Sequence, residues 1–304
     1  MGGLLALLAA LSFTLDSILI RKGLTGEHTG NVWQIRLVTM SVTLSVYFVT
    51  AVIAEVAGLN IMQEFNALSL ESVAVLILAG IMGPLMGLLL LTAAIGQIGS
   101  SHASALWGGA NPLFATLFAF VFLGETPDLI GMLFVLMIIG GIVIVGYHRH
   151  AGTVVLMKKT QVAGGIIAIL SGVCIAFSQI GRGAALNLGA TPNTALFIFQ
   201  ITALLVIAMV CLRKPGSYKY LKQISRKSFY YYVGAGFCNF VGAYSLLTAF
   251  ILLPVWQAVA IRNIQPVFVV IFSMIFLKEV DTINPRLILG TILVTLGVVF
   301  LNIY

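Results

Sequence analysis

Ten apolar runs of roughly 20 residues follow one another along this chain, and each is long enough for a helix to cross a bilayer. They fall at about 3–20, 32–54, 72–93, 99–123, 128–146, 161–181, 193–212, 229–249, 254–277 and 285–303. Little remains between them from which a water-facing surface could be built. Of 304 residues, 8% are charged and 60% hydrophobic, whereas a soluble domain carries about 25% charged residues. A chain of these proportions folds in lipid. There the backbone must bond to itself, which leaves helices or closed barrels. Barrel strands of about 10 alternating residues do not fit these longer, non-alternating runs. The expected fold is an all-α polytopic membrane protein of ten transmembrane helices, the first of them MGGLLALLAALSFTLDSILI rather than a cleaved signal, since it has no basic leader.

One segment occurs twice. Residues 111–125 read NPLFATLFAFVFLGE, and residues 265–279, lying 154 positions further on, read QPVFVVIFSMIFLKE. The overlay pairs Pro112 with Pro266, Phe114 with Phe268, Phe122 with Phe276, Leu123 with Leu277 and Glu125 with Glu279. Upstream, LTAA at 91–94 returns as LTAF at 247–250 after a two-residue gap. The polar join near 147–160 divides the copies, giving repeats 1–150 and 151–304 with five spans each. Five is odd, so the second copy must enter the membrane from the opposite face. Two inverted five-helix repeats follow, an arrangement of secondary carriers whose sites lie near the midplane between repeats.

This organisation resembles the drug/metabolite transporter superfamily, EamA type. Pro112, Leu123, Gly124 and Glu125 carry the resemblance in one half, and Pro266, Leu277 and Glu279 in the other, where Lys278 replaces the glycine. The resemblance covers essentially the whole chain. It implies a permease working by alternating access, without a cofactor, in the plasma membrane or a bacterial inner membrane. It implies no one substrate, since the superfamily handles amino acids, sugars, nucleotide sugars and amphiphilic amines.

Charge sorts by face. Arg21, Lys22, Arg149, Lys158, Lys159, Arg213, Lys214, Lys219, Lys222, Arg226, Lys227, Lys278 and Arg286 fall on one side of the ten spans. The other side receives Arg182 together with Glu55, Glu64, Glu71, Glu125 and Asp128. Basic loops stay cytoplasmic, so both termini are expected outside, although the resemblance favours cytoplasmic termini. A C-terminal reporter active only in the cytoplasm should stay silent, and strong activity would reverse the assignment. The net charge of +7 is then an orientation signal and an anionic-lipid contact, not a nucleic-acid surface.

Ionisable groups inside spans are costly and default to function. Asp16 and Arg36 enter from the basic face at matched depth, either as a structural ion pair or with Asp16 as a proton- or substrate-responsive switch. Arg262 lies about eight residues into the ninth span, roughly 12 Å of helix, too deep for snorkelling. It calls for a wet cavity, a substrate or a partner such as Asp16. Asn263 and Gln265 add donors beside it, and a guanidinium fork suits a carboxylate or phosphate. In nucleotide-sugar and triose-phosphate relatives the corresponding helix makes polar substrate contacts, so the resemblance marks Arg262 and Asn263 as a binding position. The fourth span contributes His102, Trp107 and Asn111, of which the last two share a face. Trp107 is a stacking surface or a packing residue, and His102 a proton carrier or an interfacial histidine. Asn239, Tyr244, Gln179 and Gln200 are candidate cavity walls. Pro112 and Pro266 each remove a donor and should break their helices near Gly108 and Arg262. Glu125 and Glu279 read as caps or interhelical anchors.

Motifs for enzymes are missing: HExxH, a P-loop and GxSxG do not occur. Cys174, Cys211 and Cys238 have no metal-ligand spacing. The favoured reading is a secondary active or facilitative carrier, working as an exporter, of a small zwitterionic or anionic metabolite such as an amino acid. Its partners are that substrate, the bilayer and, in one version, protons; monomer and homodimer stay open. The rival keeps the fold but carries amphipathic or lipid-linked cations, with Asp16 as counter-ion. A scaffold or sensor without transport is the third reading.

Overall fold

The computed structural model describes residues 1–25, 29–125, 128–146, 159–213 and 224–277, together with 289–290, 292–294, 296–297 and 300. Among the described residues every regular element is helical. The chain runs through α1 (Gly2–Leu24), α2 (Val32–Val56), the short α3 (Ile61–Asn66), α4 (Leu70–Ile98), α5 (Ser100–Phe118), α6 (Leu129–Gly146), α7 (Lys159–Asn187), α8 (Pro192–Arg213) and α9 (Arg226–Leu252), then α10 (Val255–Arg262) and α11 (Gln265–Phe272). Among the described residues, seven helices are long and apolar enough to cross a membrane. The fifth expected span, in α6, is among the shorter apolar helices, over Leu129–Gly141, and the ninth is split between α10 and α11. The tenth lies mostly outside the described residues; those of its positions that are described are helical.

The exposed surface is strongly apolar, and polar and charged side chains are buried among the apolar core clusters. Phe48, Val52, Leu133 and Ile275 are 50%, 61%, 57% and 63% exposed, whereas Asp16, Arg36, Arg182 and Arg262 are only 4%, 1%, 7% and 4% exposed. Lipid explains the first set. The second set needs polar partners within the helix bundle.

The halves pack reciprocally. Helix α1 lies against α9, as α7 lies against α4; α1 also touches α10 and α11, as α7 touches α5; α2 meets α9, as α8 meets α4. The details repeat as well. Ser69 caps α4 by accepting from Ser72 N at 3.1 Å, and Ser225 caps α9 by accepting from Ser228 N at 3.1 Å. The second serine of each pair then reaches across. Ser72 donates to Leu188 O at 3.2 Å, just beyond α7, and Ser228 to Gly23 O at 3.0 Å near the end of α1. Each helix end thus has an otherwise unpaired carbonyl satisfied by the opposite half. The two serine pairs stand at the same offset that aligns LTAA with LTAF.

Helix α4 loosens into a π-helical stretch, Ile81–Gly87, around Pro84. Proline has no N–H, and at π spacing the carbonyl left without a donor belongs to Ala79. Ser178 of α7 donates to Ala79 O at 2.7 Å, and Ser171 donates to Gly87 O at 2.8 Å. The irregular turn is therefore satisfied by protein at both ends, the condition for tolerating it at membrane depth.

Candidate functional site

The break between α10 and α11 is held from three sides. At its outer end, Glu125 accepts from Val255 N at 3.2 Å and from Trp256 N at 3.3 Å. A carboxylate there neutralises the positive end of the α10 dipole and satisfies two donors that have no partner within the helix. At the break itself, Asn263 Nδ2 donates to Val259 O at 2.6 Å and to Asn111 Oδ1 at 3.0 Å. Asn111 Nδ2 donates onward to Gly172 O at 3.2 Å, tying α10, α5 and α7 together. Beyond the break, Gln265 Nε2 donates to Phe13 O at 3.2 Å and Thr14 Oγ1 donates to Gln265 O at 3.4 Å, which joins α11 to α1.

The two prolines do not behave alike. Helix α5 continues through Pro112, contrary to the symmetric break expected from the repeat, and turns π-helical only at Ala119–Leu123. The four residues preceding Pro112 are Gly108, Gly109, Ala110 and Asn111, whereas those preceding Pro266 are Arg262, Asn263, Ile264 and Gln265. Small residues let the backbone tilt around the proline ring, and membrane helices tolerate proline where neighbours compensate. Before Pro266 the asparagine side chain bonds the backbone instead, competing with helix continuation.

Arg262 ends α10 inside this frame. Its guanidinium carbon lies 4.4 Å from the centre of the Phe13 ring and 4.5 Å from that of Trp107. Rings occupy the faces of a guanidinium, but its N–H donors point outward in the plane. Nε and Nη1 of Arg262 are buried and have no hydrogen-bond partner. Trp107 is fully buried, and its Nε1 is likewise unpartnered. The tryptophan is thus a support for the arginine.

Asp16 is buried with Oδ1 unpartnered, under the combined field of Arg36 and Arg262. It is not in a direct ion pair with Arg36, whose Nε donates to Leu88 O at 3.1 Å and to Thr92 Oγ1 at 2.6 Å. The α4 carbonyl and hydroxyl take the place that the expected pairing gave to Asp16.

Arg182 is the residue that sequence reasoning missed. It was expected in a loop on the sparsely basic face, yet α7 extends to Asn187 and buries it. Its guanidinium lies 4.9 Å from the Phe199 ring, and Nε donates to Ser178 O at 3.3 Å. The glycine-rich stretch GRGAALNLG concealed it, although Ser178, Gln179 and Arg182 already have the spacing of a polar helix face. Gln179 is buried with both amide atoms unpartnered, as are Gln200 Nε2 and the Tyr47 hydroxyl. Asn239 is buried in α9. Tyr244 is 37% exposed and stacks on Phe240, so it is not gathered around Arg262. Glu279 and the side chains of His102 and Pro266 lie outside the described residues.

Among the described residues, an all-helical fold with a lipid-compatible exterior and buried, unpartnered polar groups is that of an integral membrane protein. The chain belongs to the EamA-like transporter family, whose model matches it twice, over residues 1–147 and 162–303. Members of this family are transporters of small molecules rather than enzymes. No curated protein matches the chain in sequence. A crystal structure of a protein 14% identical in sequence superposes with a TM-score of 0.67, covering 98% of this chain and 94% of its own. At that identity the likeness is one of fold alone.

Proposed function

We propose that this protein is a secondary active or facilitative carrier of a small zwitterionic or anionic metabolite, such as an amino acid, exported by alternating access between inverted five-helix repeats. The observation that carries this reading is Arg262, a guanidinium held between Phe13 and Trp107 at a helix break with donors unused. A buried cation without a protein partner is costly, and a bound carboxylate would supply what the fold withholds. Asn111 and Asn263 hold the break in place, while Glu125 anchors its outer end. The reciprocal packing of the halves supports an in-plane two-fold relation and a rocking motion around the midplane. A cationic substrate is disfavoured, because Arg36, Arg182 and Arg262 would repel it across a low-dielectric interior.

Asp16 is the group best placed to couple transport to protons. The charged and titratable groups around it are Arg36 on α2, Arg262 on α10 and Cys238 on α9. Proteoliposomes supplied with radiolabelled amino acids, organic anions and amines, with and without a pH gradient, test the whole reading. At least one anionic or zwitterionic compound should be taken up, and Asp16→Asn should remove the dependence on the gradient while substrate binding persists. Uptake of amines alone would sink the substrate assignment; an unchanged pH response in Asp16→Asn would sink the coupling role.

A further inference from the structure

The Arg262 donors are not the only buried groups left without a partner where α10 gives way to α11. Trp107 Nε1 is a further donor, while Asn263 Oδ1 and Gln265 Oε1 are acceptors. All four residues are buried, Gln265 to 2% exposure. Phe13 ties Arg262 and Gln265 to one place. Its ring centre lies 4.4 Å from the Arg262 guanidinium carbon, and its carbonyl accepts from Gln265 Nε2 at 3.2 Å. The Trp107 ring stands 4.5 Å from the same guanidinium carbon. Gln265 opens α11 three residues after Arg262 ends α10.

The sense of both amides is fixed. A backbone carbonyl only accepts, so the group facing Phe13 O must be the Gln265 NH2. Gln265 Nε2 also approaches Ser17 Oγ at 3.4 Å, and that hydroxyl gives its own hydrogen to Phe13 O at 3.0 Å. Turning the amide over would set oxygen against an acceptor at both contacts. Val259 O, accepting from Nδ2 at 2.6 Å, fixes Asn263 in the same way. The two side-chain oxygens are therefore true acceptors without a donor.

A plain carboxylate does not complete this set. It brings acceptors only, which suit Arg262 and Trp107 and leave the Gln265 oxygen buried and unmet. Buried acceptors left so are rare and destabilising. We infer that Gln265 sets the specificity of the carrier: its Oε1 accepts from an N–H or O–H that the substrate holds close to its carboxylate, while the carboxylate takes the Arg262 fork. This rests on the carrier reading above and narrows its substrate class to amino acids and hydroxy acids, since an ammonium and a hydroxyl meet the same acceptor.

Isothermal titration calorimetry on the full chain in detergent compares two series that differ only in that donor. One is alanine, lactate and propionate; the other is phenylalanine, 3-phenyllactate and 3-phenylpropionate. In at least one series the amino or hydroxy member should bind about 10-fold or more tightly than the unsubstituted acid, and which member does so identifies the donor. Gln265→Met, which removes the acceptor, should reduce that ratio to within about threefold. A merely structural glutamine would weaken all three members together and keep the ratio. Equal binding across both series by the unaltered protein overturns the inference, as does a ratio that survives Gln265→Met. The comparison in the unaltered protein decides the matter by itself should that variant fail to fold. Binding of none of the six, with proteoliposome uptake of an anion bearing no such donor, overturns the inference and leaves the carrier reading intact. No uptake of any amino acid, organic anion or amine removes both.

Discussion

Replacing Arg262 with glutamine is expected to lower kcat/KM for the carried metabolite at least ~100-fold without lowering the stability of the ligand-free protein. Charge-assisted hydrogen bonds contribute about 1.5–3 kcal/mol each, and a fork that makes two of them therefore accounts for a loss of this order, since about 1.4 kcal/mol is tenfold. The stability side has two opposing contributions. The stacking on Phe13 and Trp107 is lost, at about 2 kcal/mol for a desolvated contact. Against it stands the several kcal/mol needed to bury an unpaired ion, which the substitution relieves. The second is larger, so the melting temperature should hold or rise. Arg262→Lys restores the charge but not the planar fork, and should recover only part of the activity. Parallel loss of transport and stability would make Arg262 a structural residue; unchanged transport would remove it from the site.

Gly80→Val and Gly236→Val are expected to be the most damaging substitutions to the fold. A Cβ at Gly80 would run into the Phe199 carbonyl oxygen of α8, and one at Gly236 into the Thr39 carbonyl oxygen of α2. These obstacles are backbone atoms and cannot rotate away. Small residues at such crossings are what permits helices to approach closely in lipid. Overpacking costs about 1–3 kcal/mol and sometimes more; with a branched side chain against a carbonyl, each variant belongs at the upper end. Gly140 provides the comparison, because a Cβ there meets nothing within 4 Å. Gly140→Ala should be neutral or stabilising by about 0.5–1 kcal/mol. Thermal unfolding in detergent, followed by size exclusion, reads all three. If Gly80→Val melts with Gly140→Ala, the close crossing does not hold the halves together.

Gly80 and Gly236 are also where the duplication can be read most directly. They stand at the offset that relates LTAA to LTAF, and each crosses the second helix of the other repeat. The motif Ser-x-x-Ser at 69–72 and 225–228 stands at the same offset. It was legible beforehand but lies among polar residues too common to suggest a repeat. What made it meaningful was its acceptor, a carbonyl in the opposite half.

The scarcity of charge and the length of the apolar runs determined by themselves that this chain is helical and lies in lipid. The duplicated proline-to-glutamate segment pointed to two halves, and the depth of Arg262 marked it as abnormal. Only the tertiary structure decided that Asp16 and Arg36 are not directly paired, that α5 passes Pro112 unbroken while the other half breaks at Asn263, and that Arg182 is inside. The reason is physical. In water, apolar periodicity separates a buried helix face from an exposed one. In lipid, both environments of a helix are apolar, so the pattern records which residues avoid water but not which neighbours they meet. Polar contacts between distant segments, such as Asn263 with Asn111, arise from packing alone.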